Sequence, residues 1–191
     1  MKKCIAALAV SVTFALPRPT GAQTVVPPVV PPGLEVLAPS EAFLVGHAVG
    51  TQNYECQPDA NLGRVAWTLF TPQATLFNDQ NEQIITHFFS PNPEERGVVR
   101  ATWQDSEDTS AVWARAIASA VVDPNSIAWV TLQTVGTRVG PTDGQTLSDT
   151  TFVQRVNTHG GLAPSTGCNS LPDVGRKAFM PYTADYVFYK H

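Results

Sequence analysis

Apolar and more polar residues alternate with a period of two along most of the chain after residue 42. In residues 64–70, for example, Val65, Trp67 and Leu69 share one face, and their neighbours face the other way. Such alternation over short runs, bounded by Gly, Pro, Asn and Asp, predicts β-strands. The predicted strands cover residues 43–49, 64–70, 83–89, 98–104, 111–121, 127–132, 151–157 and 182–189.

The segment 111–121 is the ambiguous one, because its alanines favour a helix. Trp113, Arg115 and Ile117 nevertheless alternate with small residues, so a strand is the better prediction. About eight strands with little helix predict an all-β fold, either an antiparallel β-sandwich or a closed barrel.

The chain divides into three parts. Residues 1–22 combine Lys2 and Lys3, a mainly apolar stretch and small residues before Ala22, which predicts a secretory signal peptide and therefore export to the periplasm or beyond the cell. The apolar stretch has about twelve residues and a membrane span needs about 20, so no membrane span is expected. Residues 23–40 form a Pro-rich extended lead-in, either a spacer or a segment on the surface, and residues 41–191 form a single β domain.

The charge balance argues against two classes of partner. Cleavage after Ala22 would remove three basic residues and no acidic one, which changes the formal net charge from −4 to −7. No Lys/Arg cluster occurs, so nucleic acid and anionic membrane surfaces are not expected as partners.

Cleavage would also remove Cys4 and leave Cys56 and Cys168. An even number of cysteines in an exported chain predicts a disulfide, with two free buried thiols as the alternative.

A set of motifs follows in a fixed order from about Pro32 to the C-terminus. They are residues 50–56, 67–76, 86–88, 101–103, 127–129, 154–158, 160–164, Cys168 and 182–189. In order and spacing these motifs resemble the secreted family catalogued as domain of unknown function 3455. The resemblance implies export, a disulfide and a single domain, and it brings no established activity. Relative to that family, residues 92–99 look inserted.

Five residues are candidates for a ligand site. His87 lies in an aromatic strand, and Trp103, which we expect to be exposed beside the inserted segment, and Asp108 follow it along the chain. Tyr54 and Arg155 are further candidates, with Asp185 as a possible partner of Arg155. The alternative for His87 is a structural histidine bonded to a backbone carbonyl.

Three functions stay open at this point. The favoured one is a non-catalytic binder of carbohydrate or a small molecule through exposed aromatic rings. The others are a hydrolase that uses His87 and a nearby carboxylate, and a structural or stress-related envelope protein. No catalytic, cofactor or metal-ligand motif is recognised, and the oligomeric state is not predicted.

Overall fold

A computed structural model describes residues 25–59 and 64–191, so the predicted signal peptide lies outside the described residues. Each strand pairs antiparallel with the next, and the last strand pairs with the first, which closes a barrel. The prediction of an all-β antiparallel domain of about eight strands is confirmed, in its barrel form. The strands are β1 (Glu41–Asp59), β2 (Arg64–Phe77), β3 (Gln83–Asn92), β4 (Val98–Asp105), β5 (Ala111–Ala120), β6 (Trp129–Arg138), β7 (Thr150–Gly160) and β8 (Lys177–Lys190).

The helical content of the described residues is limited to two 3₁₀ turns, Pro93–Glu95 and Leu171–Asp173. Among these residues there is no helix with the length and apolar character that crossing a membrane requires.

The barrel interior is filled by side chains from alternate positions of every strand. On β8 the even-numbered residues Tyr182, Ala184, Tyr186 and Phe188 belong to the interior core, as the period of two requires. The core combines aliphatic side chains with large aromatic rings. The aliphatic core residues are Leu76, Ile85, Val112, Leu132, Leu147 and Val153.

The loop between β7 and β8 closes one end of the barrel, which we call the mouth. A disulfide joins Cys168 of this loop to Cys56 of β1, with 5.4 Å between the two Cα atoms, so the predicted pairing is confirmed. The indole N–H of Trp67 donates to the Thr166 carbonyl at 3.0 Å and fixes the same loop. A covalent bond and a side-chain hydrogen bond therefore hold the β7–β8 loop at the mouth.

The Pro-rich lead-in is docked on the outside of the barrel. Val25, Val30 and Val36 pack against outward side chains of β7 and β8, and Leu34 is 2 % exposed. The Leu34 carbonyl accepts hydrogen bonds from Thr131 Oγ1, at 2.6 Å, and from Gln154 Nε2. Gln154 Oε1 in turn accepts from the Tyr189 hydroxyl. The lead-in is thus a surface strap, the second of the two arrangements that its sequence allowed.

Replacing Gln154 with leucine is expected to loosen this strap and to lower the free energy of unfolding by roughly 1–3 kcal/mol, because the buried Tyr189 hydroxyl loses its acceptor. Urea denaturation measures the loss, and limited proteolysis should cleave the strap sooner. Gln133→Leu on β6, where the amide bonds only the exposed Arg115, is the matched control. Equal behaviour of the two variants would contradict the strap's dependence on Gln154.

Residues 92–99, which look inserted relative to the family, also dock on the barrel. Asn92 Nδ2 donates to the Val135 carbonyl at 3.0 Å, and the Thr137 N–H donates to Glu94 Oε1 at 3.0 Å. Gly136 makes room for this contact, since a Cβ atom there would lie 2.5 Å from Asn92 Oδ1. The tip of the β3–β4 hairpin is therefore fixed against β6.

Candidate functional site

His87 lies inside the barrel and is 3 % exposed. The β3–β4 register places it directly opposite Trp103, and the two rings stack with centroids 4.4 Å apart and planes 9° apart. Its Nδ1 lies 2.8 Å from the Thr102 carbonyl oxygen. Because a carbonyl can only accept, Nδ1 carries the proton and donates it.

This environment keeps His87 neutral. Burial lowers its pKa from 6.5 to about 3, the hydrogen bond to Thr102 opposes that shift, and the positive charge of Arg155 adds to it. A neutral ring that stacks on an indole and bonds to a carbonyl matches the structural alternative considered for this histidine. It differs from a catalytic base, which needs a partner in reach and a pKa near the working pH.

The expected exposure of Trp103 is wrong, since the side chain is 1 % exposed. Period-two alternation on β4 points residue 103 inward, opposite His87, where Tyr186 and Phe188 contact it edge-on. Its indole Nε1 has no hydrogen-bond partner among the described residues.

Tyr54 and Arg155 also lie at the interior side, toward the mouth. The Tyr54 hydroxyl donates to the Gly161 carbonyl at 2.8 Å, and burial raises the Tyr54 pKa against the opposing charge of Arg155. The guanidinium of Arg155 donates to the Ala128 carbonyl through Nε, at 3.2 Å, and Nη2, at 2.9 Å.

The expected pairing of Arg155 with Asp185 is wrong. Asp185 faces outward on β8, where Oδ1 lies 2.7 Å from His47 Nδ1 and Oδ2 accepts from Asn157. His47 Nε2 also lies 2.9 Å from Asp79 Oδ1. The hydrogen bond to Asp79, followed by the one to Asp185, raises the pKa of His47. The residues form a polar contact on the outer surface, separate from the interior.

The structure brings four of the five candidate residues into the barrel and places the fifth elsewhere. Asp108 lies in the β4–β5 turn, where its carboxylate accepts from Ser110 Oγ at 2.6 Å and from the Thr146 N–H at 2.9 Å. Burial opposes ionisation there, but these hydrogen bonds together hold the Asp108 pKa below its usual value. Asp108 therefore organises a turn and does not serve as a partner of His87.

The barrel wall opens next to His87. The β2–β3 ladder runs only from Phe77 and Gln83 to Ala74 and His87, although both strands continue beyond it. Pro72 lies two residues past the last pair and has no N–H to offer a neighbouring strand. Beyond the ladder, the side-chain hydroxyl of Thr71 accepts from the Phe89 N–H at 3.0 Å.

The separated strands leave an open groove of about 650 Å³ on the outer surface, which we call the β2–β3 groove. None of its lining residues carries a charge, and they combine hydroxyls, one amide, an aromatic ring and aliphatic groups. The lining comprises Val49, Gly50, Thr51, Thr71, Pro72, Gln73, Ala74, Thr75, Thr86, His87 and Phe88.

The groove can offer hydrogen bonds from threonine and glutamine side chains together with an apolar surface at Val49 and Phe88. His87 forms its floor and links it to the Trp103 stack in the interior. A comparable groove between β6 and β7 differs in charge, because Glu94 and Asp149 line it. In residues 25–59 and 64–191, no three His, Cys, Asp or Glu side chains are grouped as metal ligands.

Sequence reasoning missed the residues of the groove, with the exception of His87. The signal that could have found them is Pro72 within a strand pattern, because a proline inside such a run marks an edge or an interruption of pairing.

A family model described as "Protein of unknown function (DUF3455)" matches residues 38–190. No curated protein and no solved structure matches the chain.

Proposed function

The chain belongs to the DUF3455 family of proteins of unknown function, and we propose that it is a non-catalytic protein that binds a neutral, hydroxyl-rich ligand of the carbohydrate type in the β2–β3 groove. The single observation that carries this proposal is the interruption of the β2–β3 ladder, which leaves an open and uncharged groove beside His87.

The chemistry of the lining selects the class of ligand. Charged ligands gain most from opposite charges, and none lines the groove. Sugars present hydroxyls that pair with threonine and glutamine side chains, and C–H faces that pack on rings such as Phe88. Gln73 is exposed and Phe88 half-buried, so both are available to a ligand from solvent.

The state of His87 supports a role in binding without turnover. Its Nδ1 proton is engaged by the Thr102 carbonyl, and its pKa of about 3 keeps the ring neutral. The carboxylate that a hydrolase would have supplied from Asp108 is held by Ser110 and Thr146. His87 then supports the groove from below as part of a rigid aromatic stack.

Export is part of the same proposal. A disulfide persists in oxidising compartments such as the periplasm and the extracellular space, and the Cys56–Cys168 bond is consistent with them. The N-terminal signal pattern supports the same localisation.

Isothermal titration calorimetry with neutral tetrasaccharides (cello-, xylo-, malto- and chito-series) tests the proposal. We expect saturable binding of at least one series, and Phe88→Ala is expected to weaken it about two- to tenfold, since an aromatic contact contributes roughly 0.5–1.5 kcal/mol. Phe179→Ala is the matched control, because Phe179 is exposed on β8 and does not line the groove.

Binding that Phe88→Ala leaves intact would place the ligand elsewhere. A folded protein that binds none of the four series would overturn the carbohydrate proposal and favour the structural role.

A further inference from the structure

The guanidinium of Arg155 is a partly buried cation with neutral neighbours. Its hydrogen bonds go to the Ala128 carbonyl, and the β7–β8 register places it opposite Tyr186. Its charge acts on His87, which is itself neutral. None of the ion pairs among the described residues includes Arg155. A cation shielded from water without a counter-charge is unfavourable, so this position favours an anion.

Two buried side chains of the interior carry unpaired hydrogen-bond donors. Gln52 and Trp103 are each 1 % exposed, and Gln52 Nε2 and Trp103 Nε1 have no acceptor among the described residues. An unsatisfied buried donor costs about 1–3 kcal/mol. An acceptor that reached these donors would recover part of that cost.

These groups form one connected cluster. The Tyr182 and Tyr186 hydroxyls lie 3.2 Å apart, and the β7–β8 register places Arg155 opposite Tyr186. The ring of Trp103 meets Tyr186 edge-on with centroids 5.5 Å apart. Gln52 and Tyr182 both lie against Gly161. The two tyrosines therefore link Arg155, Trp103 and Gln52.

The β7–β8 loop covers this cluster at the mouth. A Cβ atom on Gly161 would lie 2.9 Å from Tyr182 Cβ and 3.2 Å from Gln52 Cγ, so the loop backbone rests directly on the cluster. Gly161 also has a φ of +78°, which favours glycine. The loop is a closed cover, tied down at Tyr54 and by the disulfide.

We propose that the mouth holds a second binding site, specific for a small carboxylate anion, in which the guanidinium of Arg155 supplies the charge and Gln52 supplies a further donor. Guanidinium and carboxylate form paired, charge-assisted hydrogen bonds, which accounts for the class of ligand. The ligand is as small as formate or acetate, because large side chains fill the interior below. Entry requires the loop at Gly161 to lift. This site is independent of the β2–β3 groove.

The probe is sodium formate, followed by two-dimensional NMR of the arginine Nε–Hε groups in ¹⁵N-labelled protein. We expect the Arg155 cross-peak to shift saturably, and the melting temperature to rise with the same concentration dependence, because a ligand that binds only the folded state stabilises it. The Arg138 cross-peak serves as an internal control, since Arg138 is exposed and stacks on Trp113.

Variants separate this site from a general salt effect. Arg155→Met should abolish the formate dependence of the melting temperature, whereas Arg138→Met should retain it. Arg155→Lys keeps the charge without the planar pair of donors and should weaken formate binding about tenfold. Saccharide binding in the groove should survive Arg155→Met, so the two proposals can fail separately.

A linear, unsaturated shift of the Arg155 cross-peak would overturn the proposal. So would an equal formate response of the wild type and Arg155→Met. If Arg155→Met does not fold, the wild-type titration and Arg155→Lys decide the question.

Discussion

Replacing Cys56 and Cys168 together with alanine is expected to lower the free energy of unfolding by about 2–5 kcal/mol, the largest effect of any change we consider. The bond joins residues 112 positions apart in the sequence, so its loss frees most of the domain in the unfolded state. It also releases the β7–β8 loop from the mouth. Urea denaturation of the variant and the wild type measures the difference.

The wild-type protein under a thiol reductant is the control for this prediction. Reduced wild type and the double variant should unfold at similar urea concentrations, because both lack the crosslink. A loss well below about 1 kcal/mol in the variant would show that the mouth is held by its hydrogen bonds alone, among them that of Trp67 to Thr166.

Acidification from pH 6.5 to 5 is expected to destabilise the protein through His87. The folded state holds the pKa of His87 at about 3, whereas an unfolded histidine has a pKa near 6.5. Between these values the unfolded state binds a proton that the folded state does not. The His87 contribution is therefore complete above pH 6.5 and falls by up to about 1.4 kcal/mol per pH unit below it.

The window between pH 6.5 and 5 isolates this effect. His47 acts in the opposite sense, because its raised pKa makes its contribution complete below pH 6.5 and lost as the pH rises through its folded pKa. The contribution of hydrogen-bonded carboxylates such as Asp108, whose pKa is lowered, is lost only at lower pH.

Urea denaturation of the wild type and His87→Phe at several pH values tests the prediction. Phenylalanine retains a ring against Trp103 and cannot titrate, so its stability relative to wild type should improve steadily as the pH falls. A difference between the two proteins that stays constant from pH 6.5 to 5 would show that His87 is not held neutral by burial.

The barrel followed from the sequence because the period of two is a local property. The strand predicted at residues 182–189 lies within β8, whose even-numbered residues Tyr182, Ala184, Tyr186 and Phe188 face the core. The segment 111–121 formed a strand despite its alanines, because Val112 and Ala114 pack into the core. The choice between a sandwich and a barrel depends on the pairing of β8 with β1, which no local pattern reveals.

The sequence predicted which candidate residues lie together only where the pairing of neighbouring strands determines it. His87 and Trp103 do meet, because hairpin register places them opposite each other. Asp108 is close to both in sequence, but it follows the end of β4, where its carboxylate accepts hydrogen bonds from Ser110 in the turn. Arg155 and Asp185 were assigned to each other without knowledge of which face each occupies.

The exposure of Trp103 could not be inferred from its position next to the inserted segment. That segment folds onto β6 through Asn92 and Glu94, on the outer surface, while Trp103 faces the interior. The groove exists because the hydrogen-bonded pairing of β2 with β3 stops at Ala74 and His87. The sequence signal for this interruption is Pro72.

The proposed ligand site lies where β2 and β3 separate, and amide chemical-shift mapping tests this location most directly. ¹⁵N-labelled protein is titrated with each of the four neutral tetrasaccharides, and the shifted amides are placed on the barrel. We expect saturable chemical-shift changes concentrated at the amides of residues 49–51, 71–75 and 86–88. Shifts concentrated in another part of the barrel, or none with any of the four sugars, would contradict it.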